Sequence, residues 1–319
     1  MLLQSHESER QASNTDNLIL DADYAAKTPT HQLYSATNRQ KATDSPFFDT
    51  RFDTQASTFW LSLRADCPAK FTPDLVQAFR AFQTEFSNHY QYLAANSATA
   101  KQPEYFVLSS DISDTFNLGG DLPYFYKLIV NGEREHLAEY ARACVELIYQ
   151  NYIAMDLPMT TIALVKGNAM GGGMEAALAA NVLIAERQVK MGLPEVLFNM
   201  FPGMGAYQFL SRKITPAAAE KMILSGRTYG AEELYEMGIV DVLAEEGKGE
   251  QAVNDYITRH KRTGHAARAL RSAIHVADPI SRESLMSVVD IWVDTAMTLD
   301  ERDLSRMQYL IRAQEKRGF

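Results

Sequence analysis

The stretch that decides the fold is residues 167–205, GNAMGGGMEAALAANVLIAERQVKMGLPEVLFNMFPGMG. Two acidic residues in it, Glu175 and Glu195, each lie beside backbone that glycine or proline forces into unusual conformations. A second glycine-rich turn precedes this stretch at residues 117–122, NLGGDL. Glycine lets backbone N–H groups approach a bound carbonyl closely. These parts predict a site that holds a thioester oxygen on amides and moves protons with a pair of carboxylates.

The composition bounds the class of protein. The chain has 319 residues, 46% of them hydrophobic, which is enough for a sizeable core. Its net charge of −9 argues against general nucleic-acid binding. The two cysteines, Cys67 and Cys144, give neither a disulfide framework nor a metal cluster. Because the sequence shows no apolar run of membrane-spanning length and no signal-peptide pattern, we expect a cytoplasmic protein without membrane insertion or a metal.

The chain divides by composition into three segments. Residues 1–45 are polar and predict an N-terminal extension, residues 46–225 a core, and residues 226–319 a helical C-terminal region. Apolar runs predict strands at 58–64, 105–109, 161–165 and 182–185, helices at 72–89 and 133–155, and after residue 203 helices at about 204–213, 216–224, 231–237, 249–262, 265–276, 281–297 and 299–315. This order, with strands and helices mixed early and helices late, indicates an α/β fold.

The turn at residues 171–173 has three interpretations. The simplest is a tight strand-to-helix connection. The second is dinucleotide binding, since Gly171, Gly173 and Ala176 fit G-x-G-x-x-A and Glu186 ends the next strand. However, only about nine residues separate the turn from that strand, which is short for a Rossmann helix, and Glu175 places a negative charge where a pyrophosphate would sit. The third is an oxyanion site, in which free N–H groups at the helix start hold a carbonyl oxygen.

The turn at residues 117–122 supports the oxyanion interpretation. Its two glycines can supply an N–H group from a distant part of the chain, and each such donor is worth on the order of 3 kcal/mol in the transition state. The alternative is an ordinary loop in which glycine adopts positive φ and Asp121 caps a helix. The recurrence of such features in order along the chain favours the site.

That ordered set resembles the crotonase (enoyl-CoA hydratase/isomerase) superfamily. The resemblance covers about residues 57–315. The motifs that carry it are residues 116–122 (FNLGGDL), 171–175 (GGGME), 194–195 (PE), 202–205 (PGMG), 224–226 (LSG), 231–233 (AEE) and 237–241 (MGIVD). It implies a ββα spiral core with a helical C-terminal oligomerisation region. Members are usually trimers or hexamers, so the resemblance also implies a homo-oligomer.

Within the superfamily, the chain is similar to the diffusible signal factor synthases, which are enzymes of bacterial quorum sensing. The matching motifs are residues 116–122, 141–145 (ARACV), 182–187 (VLIAER), 193–199 (LPEVLFN) and 201–207 (FPGMGAY). This implies dehydration of a 3-hydroxyacyl chain on acyl carrier protein, then thioester hydrolysis to a free cis-2-unsaturated fatty acid. It implies no cofactor beyond the phosphopantetheine of the carrier protein or of CoA. A sensor kinase of the signalling system is a further implied partner.

The resemblance also implies roles by position. Gly120 and Gly172 match the oxyanion donors, and Glu175 and Glu195 match the acid/base pair, although which glutamate acts in which step stays open. The positions that match substrate-binding residues are Gly119, Met170, Met204, Trp292 and Leu310.

Three alternatives stay open. One is an ordinary enoyl-CoA hydratase or isomerase that acts on acyl-CoA, although residues 66–71 lack the Asn-Ala that often follows the first strand in CoA-binding relatives. Another is a non-catalytic binding protein that keeps the fold, against which the two glutamates argue. A basic stretch at residues 259–271 is either a docking surface for an acidic carrier protein or a solvated helix face.

Overall fold

The structure is a computed structural model and describes residues 45–97 and 99–315. The predicted N-terminal extension, apart from Ser45, and the last four residues of the predicted C-terminal region lie outside the described residues. The first half of the described chain contains β1 Phe48–Asp53, β2 Thr58–Leu63, α1 Pro73–Asn96, β3 Tyr105–Ser110, β4 Thr115–Asn117, α2 Leu122–Val130, α3 Arg134–Tyr152, β5 Thr160–Val165, β6 Asn168–Met170 and α4 Gly172–Leu178. The second half contains β7 Val182–Glu186, β8 Lys190–Gly192, α5 Ala206–Leu210, α6 Pro216–Ser225, β9 Thr228–Gly230, α7 Ala231–Glu236, β10 Val242–Ala244, α8 Gly249–His260, α9 Gly264–Ala277, α10 Arg282–Met297 and α11 Glu301–Glu315.

The larger sheet has six strands in the order β1-β2-β3-β5-β7-β10. Only β1 is antiparallel to its neighbour; the other strands pair in parallel. Strand residues alternate between two cores, because successive side chains point to opposite faces. On β5, Ile162 and Leu164 pack under α8, whereas Ala163 and Val165 face the larger core that contains α1, α3 and α4. The sheet therefore separates a thin layer under α8 from a thick helical layer.

The smaller sheet has the order β4-β6-β8-β9 and places the glycine-rich turns. Strands β4, β6 and β8 are adjacent and parallel, and Met170 at the end of β6 pairs with Gly192 at the end of β8. The carboxyl ends of parallel strands meet at one edge of a sheet. The three segments that follow these strands therefore start side by side, although they are far apart in sequence.

The C-terminal helices close the thick layer over this edge. Helix α10 packs along α3 and is joined to it by ion pairs such as Arg142–Asp290 and Arg134–Asp294, both with N–O distances of 2.6 Å. Trp292 on α10 is buried and faces the core. Helix α11 runs back against α2 and the turn after Pro194. The late helices thus form one wall of the interior beside the glycine-rich turns.

The predicted α/β class is confirmed, and the predicted strands and helices all occur. Their bounds agree within a few residues except at the end of α1, which continues to Asn96 instead of residue 89. The sequence interpretation missed β1, β10 and the four short strands of the smaller sheet. Within the described residues, no helix has the length and apolar character needed to cross a bilayer. Cys67 and Cys144 are both buried free thiols.

Candidate active site

The two glycine-rich turns, at residues 117–122 and 171–173, form two corners of the site. They meet because they follow neighbouring parallel strands. Residues 118–120 come directly after β4, and residues 171–172 come directly after β6. A Cβ atom placed on Gly172 would lie 3.6 Å from the backbone N of Gly120, and one placed on Gly119 would lie 2.7 Å from the N of Gly172. The two amides expected to hold one oxygen are therefore close neighbours.

Gly120 points its N–H group into the interior. The Gly119 carbonyl accepts a 2.8 Å hydrogen bond from the N–H of Phe71. Because the peptide unit is planar and trans, the N–H of Gly120 points the opposite way from that carbonyl. Gly120 lines an internal cavity, and its N–H has no hydrogen-bond acceptor among the described residues. It is therefore a free donor at the cavity wall.

Gly172 supplies a second free donor by the same geometry. The carbonyl of Gly171 accepts from the N–H of Glu175 at 3.0 Å in the first turn of α4, so the N–H of Gly172 points out of the helix start. Gly172 also lines the cavity, and this N–H likewise finds no acceptor in the part of the chain that the structure describes. Two distant corners thus direct unpaired amides at one space.

Close approach explains why these corners need glycine. Gly119 has φ of +92° and Gly171 has φ of +53°, values that side chains rarely adopt. A Cβ on Gly173 would lie 2.0 Å from the carbonyl oxygen of Asn117, which is far below van der Waals contact. The side chain of Asn117 also shapes the first corner, since its Oδ1 accepts from the N–H of Gly119 at 2.7 Å. The glycines therefore let α4 pack directly on β4.

Glu175 is fixed by two backbone donors. It is 1% exposed, and its Oε1 accepts from the N–H groups of Met204 at 2.7 Å and Ala206 at 2.9 Å. Burial and then the charge of Glu195 raise the pKa of Glu175, and the two backbone donors oppose that rise. The segment with positive φ at Gly205 aims both donors at this one oxygen.

Glu195 is held less tightly. It follows Pro194 on a one-turn 3-10 helix, Glu195–Phe198. The residue is partly exposed, but its Oε2 is buried and has no hydrogen-bond partner among the described residues. Its Oε1 lies against Gly171, where a Cβ would be only 2.6 Å away. Burial also raises the pKa of Glu195. Because the pKa of both carboxyls is raised and their charges repel each other, one of the two is expected to be protonated near neutral pH.

Both carboxyls and both amides line one cavity of about 330 Å³, at the lower end of the range for small-molecule sites. Besides these four groups, the lining contains the polar residues Thr115, Asn168 and Thr228, and most of the rest is apolar or aromatic. Of the predicted substrate-binding residues, Met170, Met204, Trp292 and Leu310 line it. Gly119 does not line it but lies beneath Gly172.

The sequence interpretation did not single out several lining residues, among them Leu122, Phe125, Tyr140, Cys144 and Phe198. Phe125 stacks edge-on against Trp292 with ring centroids 5.2 Å apart. Burial raises the pKa of Cys144 to about 12, so this cysteine is a neutral thiol and not a nucleophilic thiolate. Leu122, Cys144 and Phe198 lie inside the matched stretches 116–122, 141–145 and 193–199, but the motifs do not mark them as cavity residues. Phe125 and Tyr140 lie outside every motif, and packing alone brings them to the cavity.

The basic stretch at residues 259–271 lies away from this cavity. It begins at the end of α8, which covers the opposite face of the larger sheet. Arg268 pairs with Glu104 and Arg271 donates to Thr160, so two of its cations bind the chain itself. A role for this stretch in presenting a carrier protein to the cavity gains no support from that position. Within the described residues, no group of acidic, histidine or cysteine side chains is arranged to hold a metal ion.

Comparison with known proteins identifies a family and solved structures of the same fold. A family model described as enoyl-CoA hydratase/isomerase matches residues 70–290. Among solved structures, human mitochondrial delta3-delta2-enoyl-CoA isomerase is 18% identical with a TM-score of 0.68, covering 84% of this chain and 98% of its own. Enoyl-CoA hydratase from Bacillus halodurans is 17% identical with a TM-score of 0.68, covering 82% and 99%. DspI from Pseudomonas aeruginosa is 22% identical with a TM-score of 0.57, covering 79% and 89%.

These TM-scores show a shared fold, and the family match covers more than half of the sequence. The chain belongs to the enoyl-CoA hydratase/isomerase family of the crotonase superfamily.

Proposed function

We propose that the protein dehydrates a 3-hydroxyacyl thioester on acyl carrier protein and then hydrolyses the thioester, releasing a free cis-2-unsaturated fatty acid. The observation that carries the dehydration is the pair of carboxyls, Glu175 and Glu195, lining the same cavity as two unpaired amides. The hydrolysis and the signalling role rest on the resemblance to diffusible signal factor synthases.

The dehydration uses all four polar groups. A carboxylate takes the proton from the carbon next to the thioester carbonyl, and negative charge develops on the carbonyl oxygen. The N–H groups of Gly120 and Gly172 stabilise that charge. The protonated carboxyl gives its proton to the hydroxyl on the next carbon, which leaves as water as the double bond forms. The shared proton of the pair supplies one acid and one base from the same residue type.

Hydrolysis uses the same groups again. A water in the space left by the hydroxyl gives a proton to a carboxylate and attacks the thioester carbon. The two amides then hold the oxyanion of the tetrahedral intermediate. Collapse breaks the carbon–sulfur bond, and the thiol leaves with a proton from the carboxyl. The buried, unpartnered Oε2 of Glu195 is an acceptor that such a hydroxyl or water can satisfy.

The acyl chain would occupy the apolar end of the cavity. Trp292, Phe125 and Leu310 form its aromatic and aliphatic walls. Met170 and Met204 lie near the amides, and the Met204 Sδ would be 2.7 Å from a Cβ on Gly172. Methionine adapts to irregular space and suits the boundary between the reacting carbons and the chain. We expect these contacts to orient the substrate.

The second candidate is an enoyl-CoA hydratase that keeps the thioester, and the family match and the two carboxyls are equally compatible with it. A one-base isomerase is favoured less, because a double-bond shift needs only one proton carrier. We also propose a homo-oligomer and, through the signalling role, contact with a sensor kinase. Both rest on the resemblance.

The product separates the two candidates. Purified protein is supplied with 3-hydroxyacyl chains on acyl carrier protein, and the products are analysed by mass spectrometry. We expect free cis-2-enoic acid in an amount matching the substrate consumed. Accumulation of the enoyl thioester alone would contradict the synthase proposal and favour the hydratase.

A further inference from the structure

Tyr140 on α3 is a buried cavity residue for which the proposed chemistry gives no role. It is 6% exposed, and its ring lines the cavity beside Phe125 at a centroid distance of 5.3 Å and Tyr124 at 5.4 Å. Its hydroxyl forms hydrogen bonds with the backbone next to Gly120. A buried tyrosine hydroxyl usually has a hydrogen-bond partner, and the partners here are informative.

The hydroxyl joins the two chain segments that form the first oxyanion corner. It accepts from the N–H of Asp121 at 3.3 Å and donates to the carbonyl of Phe71. The thiol of Cys144 is a further hydrogen-bond neighbour. Asp121 directly follows Gly120, and the N–H of Phe71 is the group that holds the Gly119 carbonyl. Residues 71 and 120 also form an isolated parallel bridge. The hydroxyl therefore completes a ring of hydrogen bonds around the peptide unit between Gly119 and Gly120.

The same contacts exclude a proton-transfer role. The single hydroxyl proton is committed to the Phe71 carbonyl, and a tyrosine hydroxyl has only one proton to donate. Burial raises the pKa of Tyr140 well above its ordinary range, so the group stays neutral where the carboxyls titrate. Its effect on the reaction would act through the backbone that it holds.

We propose that Tyr140 is a positioning residue for the oxyanion site and fixes the direction of the Gly120 N–H. The proposal rests on the oxyanion role given to Gly120 above, but it does not depend on whether the thioester is later hydrolysed. Without the hydroxyl, the Asp121 N–H and the Phe71 carbonyl each lose a hydrogen-bond partner, and the corner is held less firmly. A donor misplaced by about 1 Å loses much of its effect on a developing charge.

Tyr140→Phe tests this, because it keeps the ring and removes only the hydroxyl. The matched control is Tyr152→Phe, which removes a hydroxyl from another buried tyrosine of α3 that does not line the cavity. Substrate consumption is measured, so the readout is the same for either product. We expect kcat to fall about 10- to 100-fold in Tyr140→Phe with KM within about threefold of wild type. The control should keep both values.

A binding measurement separates positioning from general packing. The probes are a saturated acyl-pantetheine thioester and its thioether analogue, which lacks the carbonyl oxygen. We expect Tyr140→Phe to weaken binding of the thioester several-fold and to leave the affinity for the thioether unchanged. Equal loss for both probes, or wild-type kcat in Tyr140→Phe, would overturn the proposal. If wild type yields only enoyl thioester while Tyr140→Phe behaves as expected, the synthase proposal fails and this inference stands.

Discussion

Glu175 and Glu195 line the same cavity, but their surroundings differ. Glu175 sits in the first turn of a helix, with one oxygen held by two N–H groups from the start of α5. Glu195 sits on a short 3-10 turn with one buried oxygen that has no partner in the described residues. The fixed group keeps its orientation, whereas the other has an oxygen free for substrate or water. The contrast shows how one residue type can serve two roles in a single site.

The largest expected effect is that of Glu175→Gln. The amide oxygen can still accept from the Met204 and Ala206 N–H groups, so the fold should persist while proton transfer is lost. We expect kcat to fall about 1000-fold with little change in KM. Steady-state kinetics with a 3-hydroxyacyl thioester measures this, and circular dichroism checks the fold. Activity within threefold of wild type would remove Glu175 from the chemistry.

Glu195→Gln tests whether the two glutamates differ in their contribution to dehydration and to hydrolysis. We expect a fall in kcat of about 100-fold, because the unpartnered oxygen loses its ability to exchange a proton. Each half-reaction is assayed separately, with a 3-hydroxyacyl thioester for dehydration and a cis-2-enoyl thioester for hydrolysis. If Glu175→Gln and Glu195→Gln lowered kcat equally in dehydration and in hydrolysis, the two glutamates would not have separate roles.

The pH dependence tests the coupling between the carboxyls. The charge of Glu195 contributes to the raised pKa of Glu175, and burial contributes more. Removing that charge in Glu195→Gln should lower the pKa of Glu175, although burial keeps it above the ordinary value. We measure kcat of this variant as a function of pH. The part of the pH–rate profile that reports the titration of Glu175 should move to lower pH. A profile that stays in place or moves upward would show that the two groups do not interact.

The smallest effect concerns stability. The folded state binds the Glu175 proton more tightly than the unfolded chain, whose glutamates titrate near pH 4.3. The unfolded state therefore binds fewer protons, and the free energy of unfolding falls as pH rises from that value toward the raised pKa. Glu175→Gln removes this decrease in stability with pH. At pH 8 the free energy of unfolding of the variant should therefore exceed that of wild type by about 1 kcal/mol or more. Urea unfolding at pH 5 and pH 8 measures it. An equal pH dependence in both proteins would contradict the assignment.

The sequence could indicate which polar groups line the cavity, Gly120, Gly172, Glu175 and Glu195, because their requirements are local. A glycine with positive φ at Gly119 or Gly171, and a carboxyl a few residues later, leave a readable pattern. The strands that bring the corners together were missed. Each strand of the smaller sheet has three residues, which is too short to show a period of two.

The cavity walls were less predictable because packing places them. Tyr140 and Cys144 lie on one face of α3, and only the ordering of β4 and α4 beside that helix makes the face a wall. Helix α9 was predicted, but its orientation was not. Its Arg268 and Arg271 face the chain, and Leu270 is 62% exposed. Ile274 and Val276 on the same helix are also exposed, and the homo-oligomer proposed above would cover such apolar side chains.

The central claim is that a carboxylate takes an α-proton while two amides hold the resulting negative charge. A saturated acyl thioester has that proton but no leaving hydroxyl, so its exchange in deuterated water isolates the step. We predict that wild type introduces deuterium at the α-carbon and that Tyr140→Phe slows this about 10-fold or more. Of Glu175→Gln and Glu195→Gln, the variant that removes the base slows it about 100-fold or more. Equal deuterium incorporation by wild type and both glutamate variants would contradict the account.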